Sequence, residues 1–240
     1  MDGKRIIISG GTTGVGAATA RLLAAEGAHV FIFGRRAERL HATLDAIRSG
    51  GGRADGVVGD VSNYEQLQEI FVRAEAELGG FDALINNAAI PANSIFNTPE
   101  EHWLKIMQIN LLGYMHCARL AAESMHRTGG GQIVNIGSLC IRVLDGGCDL
   151  YVASKTGVAG FTASLRKEVA DWNITVTLIN PGQIASEMVT EDAEEKEVAV
   201  DGGRMLRPDD VAEAIRFALS LPAHVALQEM ELVPSAQRGL

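Results

Sequence analysis

The chain has 240 residues, 47% hydrophobic and 21% charged, which excludes a wholly disordered polypeptide and leaves enough apolar side chains for one large core. Its net charge of −9 argues against a nucleic-acid surface, because phosphate binding needs clustered Lys and Arg to release counterions. Three cysteines (Cys117, Cys140, Cys148) and six scattered histidines lack metal-ligand spacing, so neither a disulfide framework nor a metal site is expected and a reducing cytoplasm fits.

The N-terminus runs directly into an apolar strand at 5–9, with no signal-peptide pattern. Further along, no apolar run approaches the roughly 18 residues of a membrane span. A cytoplasmic protein with no membrane partner is expected. The first strand ends in Ser9-Gly10-Gly11-Thr12-Thr13-Gly14-Val15-Gly16, and helical periodicity follows over 15–26. Glycines at a strand-to-helix turn let the backbone approach a pyrophosphate, and the helix N-terminus offers unpaired N–H groups and the positive end of its dipole. A plain tight turn is the structural alternative.

A second strand, 30–33, closes on Phe33-Gly34-Arg35-Arg36 before a helix over 37–48. An acidic residue here selects NAD through the adenosine ribose 2′-OH. Gly34 stands in its place, and Arg35 suits a 2′-phosphate, so NADP(H) is preferred and NAD(H) is the second choice. A strand at 56–58 leads to Asp60-Val61, a helix to 64–78, and a fourth strand at 83–86 to Asn87-Ala88-Ala89. One long helix is expected over 99–127, carrying Asn110, an unfavourable helix-interior residue that calls for a reason.

After a strand at 132–136 comes Ser138, and a helix over 150–170 carries Tyr151 and Lys155. The last two are an i,i+4 pair projecting from one helix face. Tyrosine ordinarily titrates near 10, and a neighbouring ammonium favours the phenolate. Ser138 is placed to donate a hydrogen bond to an oxygen on which negative charge develops. A sixth strand, 175–179, ends in Asn180-Pro181-Gly182-Gln183-Ile184-Ala185-Ser186. The acidic stretch 187–201 that follows reads as a solvated helix, a mobile loop or a substrate-covering lid. A helix over 209–220 and a strand at 231–233 complete the series. Strand–helix alternation throughout predicts an α/β fold, a single-domain doubly wound parallel sheet with helices on both faces and ligands beyond the strands' carboxyl ends.

The turn Ser9-Gly10 to Gly16, Asn86-Asn87-Ala88-Ala89, Ser138 and Tyr151-Val152-Ala153-Ser154-Lys155 together resemble the short-chain dehydrogenases/reductases, across essentially the whole chain. The resemblance implies a Rossmann-type domain over 1–240, with dinucleotide binding mainly in 1–137 and catalytic and substrate residues mainly in 138–240. It implies Asn110, Ser138, Tyr151 and Lys155 as the catalytic set, with Tyr151 as general acid/base in hydride transfer between nicotinamide and a ketone or secondary alcohol. Cofactor contacts are implied for Gly10, Thr12, Thr13, Gly14, Val15, Gly16, Asp60, Val61, Asn87, Ala88, Ala89, Pro181, Gly182, Ile184 and Ser186, together with Tyr151 and Lys155. Four departures stand out: Ser9 for Thr in the turn, Ala89 for Gly, Ser186 for Thr, and Ile141 where many relatives carry Gly.

Substrate contacts are expected from Leu139, Cys140, Leu144, Cys148, Gln183 and the 187–201 segment, mostly apolar, with Arg142 the one cation near enough to grip a carboxylate. A neutral small-molecule carbonyl or alcohol is favoured, although the ending 228–234 resembles relatives acting on 3-hydroxy acids. A homotetramer, or a homodimer, is implied through the two long helices. Two other functions compete: a non-catalytic NADP(H)-binding regulator, and an epimerase or dehydratase that retains NAD.

Overall fold

Seven strands form one wholly parallel sheet in the order β3-β2-β1-β4-β5-β6-β7: β1 Arg5–Ser9, β2 His29–Gly34, β3 Arg53–Val58, β4 Ala83–Asn86, β5 Gly131–Ile136, β6 Ile174–Pro181 and β7 Glu229–Leu232. The computed structural model describes residues 1–144 and 146–237. Strand order reverses between β1 and β4, which leaves a crevice beyond their carboxyl ends.

Alternate residues of the strands feed two cores, as the two-residue side-chain period requires. Ile6 and Ile8 pack on one side with Leu23 of α1 (Gly14–Ala25), Leu44 of α2 (Ala37–Ser49) and Ile215 of the last helix. Ile7 points the other way, to Ile70 of α3 (Tyr64–Leu78) and Met125 of a helix at 113–128. Each fully buried Ile contributes roughly 1.5–3 kcal/mol relative to leaving it in water.

The single helix expected over 99–127 is three pieces: α4 Glu100–Met107, a π-helical turn Gln108–Leu112 and α5 Gly113–Thr128. Asn110 is the physical reason. Its Oδ1 accepts the Ile90 N–H at 2.9 Å and its Nδ2 donates to the Ile90 carbonyl at 2.9 Å, so the side chain stitches the helix to the loop after β4. After β5 come the short α6 (Cys140–Val143) and α7 (Asp149–Glu168).

The acidic stretch contains a helix, α8 Ala193–Asp201, started by a reciprocal cap in which Asp192 accepts the Glu195 N–H and Glu195 accepts that of Asp192. Asp210 accepts the Arg207 N–H at the start of α9 (Pro208–Ser220), where proline occupies the first turn. Among the described residues no helix is long and apolar enough to cross a membrane.

Candidate active site

A cleft of about 390 Å³ follows the carboxyl ends of the strands across the β1/β4 reversal and reaches α7. Of the residues expected to hold a dinucleotide, Gly10, Thr12, Thr13, Gly14, Val15, Arg35, Asp60, Val61, Asn87, Ala88, Ala89, Tyr151, Lys155, Ile184 and Ser186 line it. The turn is built by close approach. Gly10 takes φ 64°, and a Cβ on Gly16 would lie 2.2 Å from the Gly10 carbonyl oxygen. Gly16 thus supports the turn from beneath instead of lining the cleft.

Asn87 also braces it. Its Nδ2 donates to the Ser9 and Gly10 carbonyls at 3.2 and 3.1 Å, while Ser9 Oγ accepts the N–H groups of Asn87 and Ala88. The substitution of Ala89 for Gly brings no backbone strain, because among described non-glycine residues only Leu144 and Asn173 have positive φ. Thr13, the residue capping α1, makes no side-chain capping bond, and no acidic residue occupies the first turn. Gly14 and Val15 at the start of α1 line the cleft, and no carboxylate of the helix's own first turn competes for its N–H groups, a setting that favours a phosphate.

At the β2 end of the cleft, a Cβ on Gly34 would meet Thr12 Oγ1 and Cγ2 at 2.8 and 2.9 Å. Thr12 thus fills the space that an acidic side chain at 34 would need. Arg35 lines the cleft with no ion pair among the described residues. Arg36 and Arg39 are different: both bind Glu187, at 2.5 and 3.2 Å. The Arg36 hydrogen bond leads in holding the Glu187 carboxyl below its ordinary pKa. Burial works to raise Asp60, but hydrogen bonds from Ser62 and Lys105 outweigh it and leave that carboxyl more acidic than usual.

At the opposite end, Tyr151 and Lys155 project from the same face of α7 into the cleft, with Lys155 Nζ 5.8 Å from the Tyr151 ring centroid. Burial, then the Cys140 thiol, raises the phenol's pKa above 10, and a hydrogen bond with Ser138 opposes the rise. Burial also lowers Lys155, to about 8. Its ammonium donates to the Ile136 carbonyl at 2.9 Å and to the Tyr114 hydroxyl at 3.1 Å.

Ser138 stands at the end of β5 because Asn180 Oδ1 accepts its N–H at 3.2 Å. Asn180 in turn donates to Glu229 of β7, which also binds Arg142. Asn110 reaches the site at second hand, through its Nδ2 bond to Ser154 Oγ at 3.3 Å.

Several expected contacts lie outside the cleft lining. Pro181 ends β6, and the Gly182 N–H donates to the Leu232 carbonyl at 2.7 Å, which joins that turn to the end of β7. The Gln183 carbonyl accepts the Leu206 N–H, and the Ala185 N–H donates to the Leu206 carbonyl, so residue 206 pins the segment that carries Ile184 and Ser186. Leu139 is buried, whereas Leu144 is exposed at φ 55°. Cys140 and Cys148 are half-buried and close enough to Tyr151 to act on its ionisation. Arg142 is engaged by Glu229 and Glu231 at 2.8 and 2.7 Å.

Glu187 and Met188 line the cleft, as do Ile90, Pro91, Ile109 and Ile136. Glu187 and Met188 open the 187–201 segment expected at the substrate, Ile90 and Pro91 follow a strand end, and Ile109 and Ile136, in a helical turn and a strand, read as core. Tyr114 gave none, since an aromatic at helical spacing reads as core.

The family model described as short chain dehydrogenase matches residues 4–197. The chain is 34% identical to a 3-oxoacyl-[acyl-carrier-protein] reductase FabG of Haemophilus influenzae, over 92% of each chain. It is 36% identical to carbonyl reductase family member 4 of Danio rerio, over 90% of this chain and 91% of the other. A solved actinorhodin polyketide ketoreductase with NADPH superimposes with a TM-score of 0.87 at 29% identity, covering 96% of each chain. The chain belongs to the short-chain dehydrogenase/reductase family of oxidoreductases.

Proposed function

We propose that the chain is an NADP(H)-preferring reductase of neutral ketones, running in reverse on secondary alcohols, with Tyr151 exchanging the proton. The observation that carries this reading is the pairing of the Tyr151 phenol with the buried Lys155 ammonium at one end of the cleft, with the Ser138 hydroxyl, outside the lining itself, hydrogen-bonded to that phenol. The glycine turn, the bare first turn of α1 and the surface from Asn87 to Ser186 fit a dinucleotide. When bound there, the nicotinamide supplies or accepts the hydride.

Ser138 donates to the substrate oxygen as negative charge grows on it. Tyr151, held protonated by burial, gives its proton to that oxygen in reduction. In oxidation it takes the proton back, which calls for a more acidic phenol, and the nearby Lys155 charge acts in that direction. Asn110 serves through the bent helix it holds.

The Thr12-filled space at Gly34 and Arg35, without an ion pair among the described residues, support selection of a 2′-phosphate. Pairing of Arg142 with two glutamates supports a neutral substrate, because the arginine that the sequence offered for a carboxylate is already neutralised. Two relatives, by name a carbonyl reductase and a ketoreductase, support a carbonyl substrate. Residues 1–137 then serve mainly the dinucleotide and 138–240 mainly the substrate. A cytoplasmic homotetramer pairing through α5 and α7 is part of the same reading.

Steady-state rates with NADPH and NADH across ketones, aldehydes, 3-oxo acids and sugars test it. The expected result is ketone turnover with NADPH favoured about tenfold or more, in line with a charge-assisted bond to the phosphate. Tyr151→Phe is expected to abolish turnover while NADPH fluorescence still reports binding. Undiminished turnover in that variant would overturn the proposal.

A further inference from the structure

Lys155 is less than one-fiftieth exposed, and a buried ammonium needs acceptors of its own. The described structure gives it two, the Ile136 carbonyl and the Tyr114 hydroxyl. Tyr114 Oη also donates to the Ile136 carbonyl at 3.1 Å, so phenol, carbonyl and ammonium close a triangle. The ring takes part as well: Nζ lies 4.8 Å from the Tyr114 centroid, nearer than the 5.8 Å to Tyr151. At that distance the π face attracts a cation.

Tyr114 is itself firmly held. It is buried on the first turn of α5, against Val158 of α7 and Leu178 of β6, and its carbonyl accepts Asn86 Nδ2 at 3.1 Å. The π turn immediately before α5 sets the register that points this ring at α7.

We propose that Tyr114 is a positioning residue, whose hydroxyl and ring fix the Lys155 ammonium so that one N–H remains directed at the cleft. This rests on the reading of Tyr151 and Lys155 given above. Of the three N–H groups of an ammonium, two are taken by Tyr114 and Ile136. Without the phenol oxygen, the ammonium keeps one protein acceptor and gains freedom to turn from Tyr151. The titratable groups near Nζ among the described residues are Tyr151 on α7, Cys140 on α6 and Tyr114 itself, with Cys117 behind it on α5.

The test compares the parent with Tyr114→Phe, which keeps the ring and deletes one oxygen. A lost hydrogen bond to a charged group predicts a fall in kcat/KM of about tenfold at pH 7. The charged form of Lys155 is also less favoured, so the high-pH limb of the rate profile moves about one unit downward, a shift that loosened packing would not produce. The Lys155 Nζ signal, followed by NMR titration of the protein without ligands, is expected to move by the same amount and sense.

Superimposable pH profiles and lysine titrations would overturn the proposal. So would a Tyr114→Phe chain that fails to fold, since the oxygen would then hold the fold and not the ammonium. Tyr151→Phe runs alongside: if it retains turnover, the functional reading itself is at fault. If it is inactive while Tyr114→Phe matches the parent, only the role of Tyr114 is lost.

Discussion

Lys155 and Arg36 both bring a cation to the same cleft, yet Lys155 is 1% exposed and the Arg36 side chain 54%. Lys155 is fixed by a backbone carbonyl and a buried phenol, and burial, opposed by the nearby Cys140 thiol, brings its pKa down to about 8. Arg36 rests on Glu187, an exposed carboxylate carried by a loop between strand and helix. An exposed ion pair of this kind contributes about 0–1 kcal/mol, because water and salt screen it. The contrast teaches a division of labour: one end is preorganised at a cost to the fold, whereas the other is assembled from pairs that a ligand's charge can rearrange.

The sharpest way to break this comparison is Tyr151→Phe. General acid–base catalysis accounts for roughly 10²–10⁴-fold, so kcat should fall by about a thousandfold with NADPH affinity retained. A fall below tenfold would place the proton transfer elsewhere.

Lys155→Met tests the cost of preorganisation. Lysine titrates near 10.4 when unfolded and at about 8 in the fold. Below pH 8 the group is charged in both states and the native state is penalised; above about 10.4 it is neutral in both and the penalty is gone. Stability of the parent relative to Lys155→Met should therefore rise by about 3 kcal/mol between those limits. At pH 7 the variant should melt at higher temperature while losing at least a hundredfold in rate. A variant that melts lower at pH 7 would show that the triangle with Tyr114 outweighs the desolvation.

Arg35→Ser should cut the preference for NADPH over NADH by about ten- to a hundredfold, the range of one or two charge-assisted bonds to phosphate. The ratio of kcat/KM values with the two cofactors measures it, and an unchanged ratio would remove Arg35 from that role. Glu187→Gln should have the smallest effect. It releases Arg36 and Arg39, so KM for NADPH should fall within about fivefold, with a steeper dependence on salt. A rise in KM would mean that the pair helps to hold the cofactor.

The parallel sheet was legible because its central strands are short apolar runs between amphipathic helices, and no distant contact competes with that pattern. Edges were less clear. β3 begins at Arg53, three residues before its expected start, since polar residues are tolerated on an edge strand. β7 spans Glu229–Leu232, where 231–233 was expected; its glutamates are drawn into the sheet by Arg142 and Asn180.

The π turn could not be read locally, because it depends on Asn110 meeting Ile90, 20 positions away. In the candidate site, residues on one turn or one helix face could be grouped from spacing. The joining of Ser138 to Asn180, and of Lys155 to Tyr114, needs strands and helices far apart in the chain, and no spacing rule reports it.

The bonds running from the Ser138 amide through Asn180 to Glu229 have a consequence for how the protein comes into being. During synthesis from the N-terminus, the strands that frame the glycine turn emerge early, but the carboxylate that steadies Asn180 arrives only with β7. A nascent chain stalled near residue 200 can pair β1 with β4 and already carry Asn180, yet still lack the Glu229 carboxylate that steadies it. The support beneath the serine is then completed later than the glycine turn, by the time needed to translate some 30 further codons.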